Sequence, residues 1–507
     1  MTFYNLNYKF LTILSLFFMF QNCEKALKVE TSKDDNMTAL IEEDRIKNFA
    51  SDVNLSDEEL KLEQRLFELR ELFQKNIQLN KSRFYGENFY DIKEFIEATT
   101  LFEIFSFMPK GALLHTHSGG VTDIEWVINE AKQLANCYVF IKTDSPDYLY
   151  GQLQVFFNTS KIPSGFVLLN EALDENPNFA QELKNLLILN RSTLQASDDF
   201  WLEFEKRFSR IMALHNYRPL FKAYYKQAFL DLIADHVSHV EIRFIFGNLY
   251  DEQNESYPID TMVDDLVDVV KDINETHPNF SLNLIYTSFK FLDVAAINTQ
   301  IDEAFRLKQK YPKLISGFDL VAEEDRGNTI AFYNESWNRL DSLERATGLK
   351  LPLYLHAGES HSMHNTNLYD AVLLESERIG HGLNLALFPA LVDEVMEKDI
   401  LVEVNPLSNQ ILGYVSDLRN HPVRYLMNEG VQIAISSDDP GVFGYIGLSY
   451  DFFIAFVSWE LDLRSIKKMV FNSITYSSIT DDAQKEAAMT VLENDWNHFI
   501  TNALQNF

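Results

Sequence analysis

Beyond Pro109 the chain alternates short apolar runs of β-type residues with helix-length stretches. The runs are ALLHTH (112–117), HVEIRFIF (239–246), LNLIYT (282–287), ISGFDLV (315–321), PLYLHAG (352–358), RIGHG (378–382), ILVEVNP (400–406) and VQIAISSDD (431–439). Most are apolar throughout, as strands covered on both faces should be. Eight such runs with helix-length spacers predict an α/β fold, a (β/α)8 TIM-type barrel. Their polar residues, three His and several Asp among them, gather at the C-terminal ends, where barrels place their chemistry. A doubly wound open sheet is the competing arrangement, but no Gly-rich phosphate fingerprint follows the first run.

The stretch before the barrel divides into three. In MTFYNLNYKFLTILSLFFMFQNC, Lys9 precedes an apolar run from Phe10 to Phe20 that is too short to span a bilayer and fits an export signal over 1–23. Cys23 directly after it is also placed for bacterial lipid attachment. Residues 25–54 are polar without a sustained apolar period and predict a linker. From Ser56 the pattern changes: SDEELKLEQRLFELRELFQKNIQLNK pairs a Ser cap with Glu59, then spaces Leu60, Leu62, Leu66, Phe67, Leu69, Leu72 and Phe73 at helical period. Residues 24–107 thus predict a linker and a helical arm whose apolar face is buried on the body or on a partner. Residues 108–507 form the barrel. The gap from Ser118 to Ser238 is too long for a crossover and predicts an inserted subdomain, about 120–195, with strands in CYVFIKTDSPDYLYGQLQVFF and FVLLNEAL.

Chemistry concentrates in a few places. In His115-Thr116-His117, side chains two apart on a strand point the same way, so both imidazoles can meet one metal above the barrel. His356 closes the fifth run and Asp438 the eighth. Three nitrogens and an oxygen without thiolate suit zinc, or another borderline divalent ion, one per subunit, with a position kept for water. Glu359, on the loop after His356, is placed to protonate a substrate. His381, between two glycines, is placed to hold and deprotonate the attacking water. Adjacent Asp438 and Asp439 point apart, so one can bind metal while the other faces substrate. Taken singly each has an ordinary reading: Glu359 as a solvated loop acid, His381 as a turn histidine, Asp439 as a cap before Pro440. Their joint arrival at one barrel rim, in strand order, is what an active site requires.

Composition narrows the partners. The 507 residues carry 44 Lys+Arg against 75 Asp+Glu, a formal charge of −31, and are 46% hydrophobic. That is enough to bury a large core. The acid excess disfavours nucleic acid and anionic membrane surfaces. With two cysteines, Cys23 and Cys137, no disulfide framework holds the fold. Sequons at Asn36, Asn54, Asn158, Asn190, Asn254, Asn274 and Asn334 are compatible with secretion.

MPKGALLHTH, GFDLVAEED, LPLYLHAGE, RIGHG, EVNPLSNQ, SDLRNHPV and ISSDDPGVFG together resemble the adenosine deaminase superfamily, and most its secreted branch, the adenosine deaminase-related growth factors. The resemblance runs from about Asp52 to the C-terminus and includes the insertion. It implies His115, His117, His356 and Asp438 as zinc ligands, Glu359 as the acid that protonates a purine ring nitrogen, and His381 as the residue that positions and deprotonates the water. Asp439 would hydrogen-bond the imidazole side of the purine, and Trp201 resembles a pocket aromatic. The implied reaction converts adenosine or 2′-deoxyadenosine to its inosine product with release of ammonia. The branch also implies a secreted homodimer joined through the N-terminal arm and acting on a purine nucleoside; the charge of −31 favours neutral nucleosides and no nucleic acid, and the short run Phe10 to Phe20 gives no stable membrane span.

Departures lie away from the metal. Ser118 stands where the family has Asp, a contact to the sugar hydroxyls; Ala322 replaces a Gly beside the purine; and Phe289 replaces a His after the third strand. They bear on sugar specificity rather than deamination. Cys137 matches the first cysteine of the inserted domain, but its partner position in SKIPSGFVLL is not Cys. Two other functions compete. One is a binuclear amidohydrolase, for which the expected strand offers Asp319 but no bridging Lys. The other is an extracellular growth-factor-like or nucleoside-binding protein with altered or reduced deaminase activity.

Overall fold

The computed structural model describes residues 36–80, 82, 84–194 and 199–507. The proposed export signal, with Cys23, lies outside them. All eight expected runs contain parallel strand: β1 (Gly111–His117), β5 (Val237–Phe244), β6 (Ser281–Phe289), β7 (Ile315–Val321), β8 (His356–Ala357), β9 (Arg378–His381), β10 (Leu401–Val404) and β11 (Ile433–Ile435). They form two four-stranded sheets, β1-β5-β6-β7 and β11-β10-β9-β8. Two parallel bridges join the sheets, Phe318 to Leu353 on one side and Thr116 to Asp438 on the other. The second is the seam of the barrel: Asp438 N donates to His115 O at 3.0 Å, and His117 N donates to Asp438 O at 3.2 Å. The fifth run is less regular than expected. Only His356–Ala357 is ladder strand, because Leu353 and Tyr354 serve the single bridge to β7.

Helices cover the strands: α10 (Asp260–Asn274) follows β5, α11 (Val294–Lys310) follows β6, α12 (Asn334–Thr347) follows β7, α13 (Asn367–Leu373) follows β8 and α14 (Pro389–Glu397) follows β9. Then come α15 (Pro406–Ile411) and α16 (Val423–Glu429), and after β11 α17 (Ser449–Ser458), α18 (Leu463–Thr475) and α19 (Asp482–Asn506). Between β1 and β5 the chain makes α5 (Ile124–Gln133), the antiparallel strands β2 (Cys137–Phe140), β3 (Leu153–Val155) and β4 (Phe166–Leu168), then α6 (Leu169–Glu175) and α7 (Phe179–Leu187). The expected strands of the insertion are therefore present. The helix α8 (Phe200–His215) leaves it toward the barrel mouth, and α9 (Arg218–Ala234) returns the chain to β5.

The arm is α2 (Asp57–Leu79), followed by α3 (Phe89–Glu97) and α4 (Thr100–Phe107). Ser56 and Glu59 form the expected capping box. Leu62, Leu66, Leu69, Phe73 and Ile77 are buried against this chain's own body, while Leu60 and Leu72 of the same pattern are exposed. Arg70 Nη1 donates to Leu461 O at 2.6 Å, and Glu59 accepts from Lys467 and from the Trp496 indole. The expected linker is different in part: residues 36–47 form a helix, α1. It shows almost no buried face, and the pair Lys47 to Glu43 at 2.9 Å supports it along its own surface. Met37, Leu40 and Ile41 fall at helical spacing, but the repeat is too short to register as a sustained apolar period.

Candidate active site

The barrel rim gathers the residues expected there. Ligand atoms of His115, His356, His381 and Asp438 lie within 4.8 Å of one another, and those of His117, Asp438 and Asp439 form an overlapping group. Asp438 Oδ1 is 3.0 Å from His117 Nε2 and 3.5 Å from His115 Nε2. Asp438 adopts φ 62, a conformation costly for a residue with a side chain, at the position where the seam turns β11 onto β1. Gly380 packs on His115: a Cβ there would come 3.1 Å from its ring.

Partners at Nδ1 sort the histidines by role. His115 Nδ1 lies 2.9 Å from Glu403, and His356 Nδ1 lies 2.6 Å from Asp319. A carboxylate takes the hydrogen of Nδ1 and leaves Nε2 as a bare lone pair, the usual support for a metal-binding imidazole. His381 is treated the opposite way. The Val423 amide donates to His421 Nδ1, so the hydrogen of His421 is on Nε2 and goes to Asn409 Oδ1 at 3.0 Å. The amide nitrogen of Asn409 then faces His381 Nδ1 at 3.3 Å, and that of Asn405 at 3.4 Å. In the neutral ring the hydrogen of His381 is therefore on Nε2, which makes it a donor rather than a ligand.

The carboxylates belong to a buried charge network that spacing did not reveal. Arg243 donates to Asp319 and Glu403, and Arg378 donates to Glu403 and Glu241, all fully or almost fully buried. Burial opposes ionisation of Glu403, but Arg243 and Arg378 hold it well below the usual carboxylate range. Burial likewise opposes ionisation of Glu241, which Arg378 pulls down to about 2. Their signal in the sequence was charge inside otherwise apolar strands: Glu241 and Arg243 in HVEIRFIF, Arg378 in RIGHG and Glu403 in ILVEVNP.

Glu359 and Asp439 have the opposite character. Burial, reinforced by the charges of Asp438 and Glu324, raises the Glu359 carboxyl well above its ordinary range. Burial and the neighbouring Asp438 do the same to Asp439. Glu359 is held by its backbone: Glu324 accepts from the amides of Gly358 and Glu359 at 2.9 and 3.0 Å. Lys290 stands 3.5 Å from Glu324 and donates to His356 O. Asp438 is the ionised member. Burial opposes its charge, but the close approach of the His115 and His117 imidazoles keeps it well below the ordinary range.

These groups floor a cavity of about 470 Å³, also lined by Ser118, Trp201, Phe289, Ala322 and Asp439. Ala322 has φ 100, a region that favours glycine. Sequence spacing missed the contribution of α8, whose Phe204, Glu205, Phe208 and Met212 form one wall beside Trp201. Among the described residues lining the cavity there is no Lys or Arg.

Residues 180–494 match the family model described as adenosine deaminase. The chain is 32% identical to adenosine deaminase 2 of Sus scrofa over 492 residues, covering 93% of this chain and 94% of that protein. It is 33% identical to adenosine deaminase 2 of Dictyostelium discoideum over 428 residues, covering 83% and 79%. Among solved structures, an amidohydrolase from B. ambifaria with bound Zn superposes with a TM-score of 0.57 at 16% identity, covering 80% of this chain and 95% of that one. The last likeness concerns the fold. Strand order, rim residues and sequence agree, and the chain belongs to the adenosine deaminase family.

Proposed function

We propose that this protein hydrolytically deaminates adenosine and 2′-deoxyadenosine to inosine and 2′-deoxyinosine, releasing ammonia. The observation that carries the reading is the clustering of His115, His356 and Asp438, with His117 3.0 Å from Asp438, beside a buried, proton-retaining Glu359 at the base of one cavity. The four fit a divalent cation. His115 Nε2 is buried without a hydrogen-bond partner, and carboxylates prepare His115 and His356 to offer Nε2 lone pairs. The all-N/O donor set favours zinc, one per subunit. When bound, it supplies a water activated for attack at neutral pH.

The chain's own residues supply the rest. Glu359 gives its proton to the purine ring nitrogen beside the amine-bearing carbon, so that carbon accepts the water oxygen. His381, with hydrogen on Nε2, holds that oxygen on line; this is a positioning role in place of the deprotonation expected from sequence. Asp439 keeps its proton and donates to the imidazole side of the purine. Trp201, Ala322 and Ser118 shape the walls around base and sugar. The two protons of the attacking water close the balance: one leaves with the amine as ammonia and the other returns to Glu359. The absence of Lys and Arg from the described lining supports neutral nucleosides over nucleotides.

The same reading takes residues 1–23 as an export signal, 24–107 as the linker and arm, and 108–507 as the barrel with its insertion, with secretion as the consequence. Lipid attachment at Cys23 is its bacterial variant. No helix of the described residues is long and apolar enough to cross a membrane. The exposed Leu60, Leu72 and Leu79 of α2 support a homodimer through the arm. The direct test is ammonia release from adenosine by the purified protein, abolished by a strong chelator and restored by zinc. Absence of release from adenosine and every other nucleoside, with zinc bound, overturns the deaminase reading in favour of a binding protein.

A further inference from the structure

The cavity has two unlike halves. Its floor carries the polar machinery: His117, His356, Glu359, His381, Asp438 and Asp439. Its outer half is lined mainly by carbon. Phe289 and Phe291 stack at 4.9 Å with planes 17° apart, and Phe246 is fixed between Phe244 and Tyr286 at 4.7 and 4.9 Å. Phe208 and Met212 face the cavity from α8. Phe291 and Met212 are 60% and 54% exposed, so they form an apolar rim rather than a core. Isolated exposed apolar residues are ordinary, but here they border one opening.

Ser118 sits at the junction of the halves and offers little to a hydroxyl. Its Oγ accepts from the Ile245 amide at 3.3 Å, and its carbonyl accepts from Tyr225 at 3.0 Å. The next strand ends along the rim bring Ile245, Phe246, Phe289, Phe291, Val321 and Ala322 into the lining, all apolar, while Lys290 between the two phenylalanines is turned to His356 O and Glu324. Glu205, Ser209, His215 and Asn216, all on α8 or directly after it, are the polar side chains of the lining beyond the floor and Ser118.

When the base lies on the floor with its amine-bearing carbon at the metal cluster, the sugar must extend toward the mouth. The 5′ carbon is the one sugar carbon outside the ring, so a group on it reaches furthest toward the rim. A 5′-hydroxyl arriving against the rings of Phe246, Phe289 and Phe291 loses water without a matching acceptor on that side. A 5′-thioether instead buries its methyl on phenyl faces and brings sulfur to aromatic rings, a favourable contact. We propose that the outer half of this cavity selects adenine nucleosides with an apolar group at the 5′ position, 5′-thioethers being the best-fitting class. This rests on the deaminase reading and names its substrate class.

The test measures kcat/KM of the zinc-loaded full chain for adenosine, 5′-deoxyadenosine, 5′-methylthioadenosine and AMP. The thioether should exceed adenosine by about 10-fold, the range for one buried alkyl group and a sulfur–ring contact, with 5′-deoxyadenosine between them. Phe291→Ser and Met212→Ser, both at exposed positions, should each reduce the thioether-to-adenosine ratio, and Ser118→Asp should move it furthest toward adenosine. Preference for adenosine over both 5′ analogues, or a ratio unmoved by all three substitutions, overturns the proposal and leaves adenosine deamination standing. Ammonia from none of the panel overturns both.

Discussion

The floor and the outer wall of the cavity are built on different principles. On the floor the support side of the site is fixed: His115 and His356 each meet a carboxylate, those carboxylates meet Arg243 and Arg378, and Asn409 faces His381, while His115 Nε2, Glu359 Oε1 and Asp439 Oδ1 are buried without a partner. The wall is made of rings and a methionine that touch one another and solvent. A floor so constrained has few acceptable substitutions, because one removed partner strands a buried charge. The wall can change without that cost, so it is the place for specificity to vary while chemistry stays fixed.

That contrast can be broken most severely at the metal. His356→Ala should reduce ammonia release to background and lower zinc content, read by metal analysis of the purified protein. Glu359→Gln follows, with a loss of about 10²–10⁴ in kcat while zinc content stays at wild-type level. Since the raised Glu359 carboxyl must be protonated to act, wild-type activity should persist at neutral pH and fall as pH rises through that raised pKa. An unchanged alkaline limb in a pH series of kcat would remove Glu359 as the acid.

A smaller effect probes the floor's support. Glu403→Gln leaves Arg243 and Arg378 short of charge and should cost about 3–5 kcal/mol in urea unfolding. Asp451 gives a pH test. Burial pushes its carboxyl up to about 8, although the Leu407 amide and Tyr445 hydroxyl donate to it. The folded state thus keeps a proton that the unfolded chain releases near pH ~4. Its stabilising contribution is complete below that pH and declines as pH rises toward 8. Asp451→Asn should flatten this slope in unfolding free energy measured across the range. The smallest effect is on the wall: Ala322→Gly, at φ 100, trades strain for chain entropy and should change stability by less than about 1 kcal/mol.

The two regions also differed in how far the sequence disclosed them. Strand runs with His or Asp at their ends located His115, His117, His356, His381 and Asp438, because a barrel rim is a regular consequence of strand polarity. The support beneath them was hidden. Glu403 and Arg243 lie in different strands, and only closure of the barrel puts them 2.6 Å apart. The wall was harder still, since Phe208 and Met212 belong to a helix whose placement over the mouth depends on packing of the insertion. Residues 36–47 were missed for another reason: the apolar repeat of α1 stops after Met37, Leu40 and Ile41, too short to register as a sustained period.

The seam between β1 and Asp438 has a consequence in time. Two of the proposed ligands come from the first barrel strand and one from the segment after the last, and the hydrogen bonds that pair them are the same ones that complete the ring. A ribosome-bound chain that has emerged only through β10 carries His115, His117 and His356 without the carboxylate that joins them. Completion of the four-residue donor set is thereby deferred until nearly the whole chain has been synthesised.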